Sequence, residues 1–139
     1  MKKIYIFFMS FLIIFLLAIS AYLLYYNFNV LVEVKKLPLS VEVVDKAIVG
    51  INLNTDGLYF DKISSGNVGK RAITLQNNYN KDVYVSIKVD GNISPMITVS
   101  DNDFILKSNE TKSVIFYCNV GNYSLGKYNG ITTVVFKKV

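Results

Sequence analysis

The sequence predicts an all-β sandwich of about seven or eight strands behind a single transmembrane α-helix. Three observations carry this. Residues 4–26, IYIFFMSFLIIFLLAISAYLLYY, hold no charge, proline or glycine. Beyond Val30 the pattern turns to alternation: Val83, Val85, Ile87 and Val89 share one parity, and Tyr84, Ser86 and Lys88 the other. Turn-rich clusters recur at about eight- to twelve-residue intervals, the spacing of short strands in sandwiches and barrels.

The N-terminal run comes first. As a helix it spans about 34 Å, enough for a hydrocarbon core of about 30 Å. Lipid offers main-chain groups no partner, so the run must be helical. Tyr5 at one end and Tyr22, Tyr25 and Tyr26 at the other suit interfacial aromatic belts. Residues 1–3 are then a short tail, 4–26 the transmembrane helix, 27–39 a stalk or linker, and 40–139 the β-sandwich domain. Leu37-Pro38-Leu39 reads as a hinge, and Val30–Val34 alternates as either stalk or edge strand. Lys2 and Lys3 sit against the N-terminal end of the run. Lys35 and Lys36 lie nine or ten residues beyond the other end, so by the positive-inside rule proximity favours that N-terminal end inside and the β-domain outside. A cleaved signal is the rival: Lys2-Lys3, then Ile4 to Leu17, then Ala18-Ile19-Ser20 as a small-x-small site. Against it, the apolar run continues through Leu23 and Leu24.

The strands follow in order. Val41–Val44 and Ile48–Asn52 are short candidates. Ile73 and Leu75 alternate with Ala72 and Thr74. Tyr84 flips out between Val83 and Val85, and Met96–Ser100 and Phe104–Leu106 are again short. Val114, Phe116 and Cys118 alternate with Ser113, Ile115 and Tyr117. Ile131–Phe136 is a β-branched and apolar run of the kind buried on both faces. Turns fall at 54–57, 64–67, 77–81, 90–92, 101–103 and 107–110, all rich in Asn, Asp, Ser or Gly.

Before the last strand stands Gly126-Lys127-Tyr128-Asn129-Gly130. A phosphate loop needs a following helix, whereas Thr132-Thr133-Val134-Val135 is a poor helix start. The glycines are therefore read as punctuation, supplying turn dihedrals closed to other residues. Tyr128 is expected to bond nearby backbone through its hydroxyl, like a tyrosine corner.

Over Gly66 to Lys138 the chain reads GNVGKRAITLQNNYNKDVYVSIKVDGNIS, FILKSNETKSVIFYCNV and GKYNGITTVVFKK. This resembles the immunoglobulin-like sandwiches of the PapD-like and ASPM–SPD-2–Hydin type. These have a strand ending in Asn, a strand ending near Gly, a Phe-x-Leu strand, and Gly-x-Tyr-x-Gly before the final strand. The resemblance covers about half the chain and concerns sandwich topology. It implies an adhesion, scaffolding or chaperone module, hence binding and not catalysis. The chain lacks the basic carboxylate-anchoring pair of pilus chaperones, so no functional residue is carried over.

Composition excludes several chemistries. Histidine is absent, which removes Ser–His and Cys–His pairs and His-based zinc sites. The single cysteine, Cys118, makes no internal disulfide and reads as a buried structural thiol. Nothing singles out a catalytic pair among the ten Asp and Glu, so no enzyme activity, cofactor or metal is expected. Asn52–Gly57 resembles half a calcium loop, but Ile63 stands where a bidentate Glu is needed. Asp101 and Asp103 read as a solvated turn ahead of a weak cation site. The net charge of +5 includes Lys2 and Lys3, the remaining lysines are scattered, and Arg71 is the only arginine. That is no nucleic-acid footprint.

The remaining signals concern surfaces. Asn92-Ile93-Ser94, Asn109-Glu110-Thr111 and Asn122-Tyr123-Ser124 are candidate glycosylation sequons in turns, which suits an exported domain. Tyr79, in a turn, and Tyr84 and Tyr117, of outward parity, are candidate contact residues. Lys137 and Lys138 look like gatekeepers of a strand edge that would accept a partner strand. The expected role is a non-catalytic cell-surface interaction or structural module, held in the cell membrane through residues 4–26, with a protein partner at the outer face. A rival role is the anchor subunit of an envelope assembly such as a pilus or archaellum-like machine. Met1-Lys2-Lys3-Ile4 lacks the small residue of a polymerising pilin, and residues 4–26 lack its early acid. A secreted sandwich after signal cleavage and an accessory domain of a membrane enzyme are also compatible with the sequence.

Overall fold

Helix α1, Lys2–Asn29, contains the whole apolar run. Tyr5–Tyr26 has a mean hydropathy of 2.6 and none of it is buried against the rest of the protein. The helix is therefore long and apolar enough to cross a membrane. Its two serines return their hydroxyls to the helix, Ser10 Oγ to the Phe7 carbonyl at 2.8 Å and Ser20 Oγ to that of Leu17 at 2.9 Å. Neither presents a bare donor to its surroundings. The computed structural model describes residues 2–46 and 56–139. The candidate strand at 48–52 and residues 52–55 of the calcium-loop look-alike lie outside the described residues.

Eight strands follow among the described residues: β1 Leu31–Val44, β2 Leu58–Ser64, β3 Val68–Gln76, β4 Val83–Gly91, β5 Ile97–Val99, β6 Phe104–Leu106, β7 Thr111–Asn119 and β8 Gly126–Lys138. A 3-10 turn at Ser94–Met96 leads into β5. One sheet is ordered β2-β1-β8-β4-β6 and the other β3-β7-β5. The two sheets enclose a core built by the expected alternation. Val83, Val85 and Ile87 of β4 and Val114, Phe116 and Cys118 of β7 are buried, with Val134 and Phe136 of β8. The fold is an all-β sandwich.

Three expectations change. Residues 31–39 are not a stalk. They are the first part of a single fourteen-residue β1, paired antiparallel with β8 from Leu31 opposite Lys137 to Val43 opposite Gly126. Extended residues beside an open strand satisfy their main-chain groups by pairing, and Leu39, Val41 and Val43 carry the same strand into the core. Pro38 is tolerated because β2 joins β1 only from Leu39 onward. Second, Ile131–Phe136 is not buried on both faces: Thr132, Val134 and Phe136 are buried, while Ile131 is 48% exposed. Among the described residues nothing covers the outer face of the larger sheet, so only one parity enters the core. Third, Lys137 and Lys138 guard no edge, because β8 lies between β1 and β4.

The register fixes two ends. Leu31 and Val83 lie opposite Lys137 and Lys138, and Gln76 opposite Thr111, so the starts of β1, β4 and β7 meet the ends of β3 and β8 beside the helix. The far end holds the β2–β3, β4–β5 and β7–β8 connections. It is closed by Ser65 N donating to the Val44 carbonyl and Gly66 N to that of Gly121.

Candidate contact surfaces

The three candidate tyrosines do not converge. Tyr84 lies on the outer face of the larger sheet and donates to Asp103 Oδ1 at 2.9 Å. That bond raises the pKa of its phenol above the ordinary 10.0, since the neutral form is the donor. Tyr117 lies on the outer face of the smaller sheet, with Lys70 Nζ 5.3 Å from its ring centroid. Tyr79 belongs to the 77–82 loop at the helix-side end, its hydroxyl 3.5 Å from Glu33 Oε2.

The sequons divide by end. Asn109 lies on the helix-side end, with a φ of 59° in the 107–110 loop. Asn92 and Asn122 lie at the far end. Asn92 Oδ1 accepts a bond from Asn129 N at 2.7 Å, and its neighbour Ile93 is fully buried. Asn122 is exposed in the β7–β8 connection.

Gly126–Gly130 opens β8 and is not a separate turn. Gly126 has a φ of +148°, as a glycine can. Gly130 serves a different need: a Cβ there would meet the Asp90 carbonyl and lie 2.6 Å from Ile93 Cγ2. Close approach of β4 to β8, not a turn dihedral, requires it. Tyr128 donates its hydroxyl to the Ser124 carbonyl at 3.0 Å, the expected corner.

The two carboxylates of the 101–103 turn are committed to structure. Asp101 accepts Lys112 Nζ at 2.9 Å and the Ser100 hydroxyl at 2.9 Å. Asp103 is taken by Tyr84. No cluster of three or more Cys, Asp or Glu able to hold a metal occurs among the described residues. Burial pushes the Cys118 thiol up to about 11, so it is protonated and unreactive near neutrality.

Among the described residues, edges remain at β2 and β6 in the larger sheet and at β3 and β5 in the smaller. One is blunted in a way the sequence does not announce. Past the short β6, Asn102 Oδ1 accepts from Ile87 N at 2.7 Å and its Nδ2 donates to the Ile87 carbonyl at 3.0 Å. The amide completes the β4 ladder as another strand would. Opposite it, Arg71 of β3 reaches across to β2, Nε to the Tyr59 carbonyl at 2.7 Å and Nη2 to Asp61 Oδ2 at 3.1 Å.

The helix-side end is tied by Asn77, which is fully buried. Its Nδ2 lies within donor distance of the Lys81, Leu106 and Lys107 carbonyls, at 2.9, 3.0 and 2.9 Å, and its Oδ1 accepts Tyr79 N at 3.0 Å. One side chain thus joins the 77–82 and 107–110 loops. A strand ending in Asn is visible in the sequence, but nothing there marks its burial. No family model, curated protein or solved structure matches the chain.

Proposed function

We propose that this is a single-pass membrane protein whose outward-facing sandwich is a non-catalytic interaction or structural module of the cell surface. The observation that carries the reading is the uncharged, unburied helix Tyr5–Tyr26 running straight into the first strand of the sandwich. The strand order supports an immunoglobulin-like module of the PapD-like type. β3-β7-β5 follows the order B-E-D, and β4-β8-β1 follows C-F-G. The first strand, β1, thereby takes the place of the last. Such sandwiches act through loops, faces and edges, and the Asp101 and Asp103 carboxylates are engaged by Lys112 and Tyr84.

The test is the intact mass of the protein recovered from membranes washed at alkaline pH. The full 15.7 kDa chain in the pellet supports the anchor. A shorter chain beginning near Ser20, found outside the membrane, overturns it in favour of a secreted sandwich.

A further inference from the structure

We infer that the helix-side end of the sandwich docks on the bilayer surface, with Tyr79, Lys81, Lys107, Lys137 and Lys138 set among the phosphates of the lipid headgroups. The inference rests on the membrane anchor proposed above and adds what the folded domain does there.

The junction leaves no room for a stalk. α1 ends at Asn29 and β1 begins at Leu31, so Val30 alone separates them. One residue spans at most about 3.6 Å. Val30 is held from both sides: its N–H donates to the Tyr26 carbonyl at 3.0 Å and its carbonyl accepts Lys138 N at 3.0 Å. The last turn of the helix and the end of β8 are thus fixed to the same residue. A helix that spans the bilayer brings this end of the sandwich to the headgroup layer with it.

The side chains there suit that layer. Tyr79 is 40% exposed, and tyrosine concentrates at membrane interfaces. Lys81, Lys107 and Lys138 are exposed and Lys137 is partly so. Three acids share this end, and each is engaged. Asp82 Oδ1 accepts Ser108 N at 3.0 Å, and Glu110 Oε2 accepts Lys107 N at 2.7 Å. Glu33 lies 3.5 Å from Lys35 Nζ and 3.5 Å from the Tyr79 hydroxyl. Long lysine stems reach toward phosphate while Asp82 and Glu110 stay folded into the loops and Glu33 is held on β1 by Lys35 and Tyr79. The Asn77 side chain holds both loops in place, so the surface is built before it meets lipid.

The chain has no tryptophan, so one introduced residue is a sole reporter. The full chain carrying Tyr79→Trp, and a second carrying Tyr123→Trp at the far end, are reconstituted in vesicles of phosphatidylcholine and phosphatidylglycerol bearing a headgroup nitroxide. The expected result is that both float with the vesicles, the Tyr79→Trp reporter loses most of its emission and the Tyr123→Trp reporter keeps its own. Replacing the four lysines by Gln in the Tyr79→Trp chain is expected to restore much of that emission. Equal emission from both reporters in floating protein overturns the docking while leaving the anchor intact. Quenching unchanged by the lysine replacements overturns the assignment of the lysines to lipid phosphate. Protein that fails to float overturns the anchor, and the docking with it.

Discussion

The side-chain amide of Asn77 donates a hydrogen bond to the main-chain carbonyl of Lys107 at 2.9 Å, across the helix-side end of the sandwich. The Lys81 and Leu106 carbonyls lie within reach of the same nitrogen, whose two N–H groups are shared among the three, so a single buried group ties two loops. Removing it strips the buried Leu106 carbonyl of its Asn77 donor and unties the Lys81 and Lys107 carbonyls, of which the last keeps Glu110 N. Asn77→Leu is expected to destabilise the fold by about 2–3 kcal/mol, the cost of buried unsatisfied groups. Urea unfolding checks this. Asn77→Asp offers acceptors to carbonyls and should cost at least as much.

A fragment of residues 30–139 is expected to fold, whereas one of residues 40–139 is not expected to be stable. The shorter fragment loses Leu39, which is 2% exposed, and the β1–β8 pairing from Leu31 to Leu39. Loss of one buried leucine alone costs about 2–5 kcal/mol, a large part of a domain's stability. Circular dichroism against temperature distinguishes the two. Equal melting of both fragments would mean that residues 31–39 are a stalk after all.

Thr132 is fully buried in β8, and among the described residues its hydroxyl oxygen has no hydrogen-bond partner. Valine has the same shape without the polar atom. Thr132→Val is therefore expected to stabilise the protein by about 1 kcal/mol, read as a higher urea midpoint with an unchanged slope.

Lys112 and the Ser100 hydroxyl hold the Asp101 carboxyl below its ordinary value of 3.8. The folded pKa lies below the unfolded one. The stabilisation is therefore fully present above about pH 3.8 and is lost as pH falls through the lower folded value. Carboxyl NMR is expected to show Asp101 titrating below 3.8, and Lys112→Met to move it back upward.

The strands most legible in the sequence are those whose alternation runs unbroken against the core. Val83 to Val89 and Val114 to Cys118 are of this kind, and both parities hold in the structure. β2 is hidden because its alternation breaks. Leu58 and Phe60 are buried, Asp61 takes a φ of 57°, and burial resumes at Ile63, with a register shift between Ser40 and Glu42 opposite. A bulge of this sort moves the apolar set by one residue and obscures the period. The pairing of the first strand with the last is equally hidden. It joins residues about a hundred positions apart, and no local residue type marks a distant partner. Of the surface, the outward parity of Tyr84 and Tyr117 is legible. The gathering of Tyr79, Lys81, Lys107, Lys137 and Lys138 at one end is not, because it depends on that long-range register.

The outward placement of the sandwich is most sharply tested by protease protection on intact cells carrying a tag after Val139. External protease is expected to remove the tag while a cytoplasmic control survives. A tag that persists until the cells are lysed would refute that placement and make the sandwich an adaptor on the inner face of the membrane.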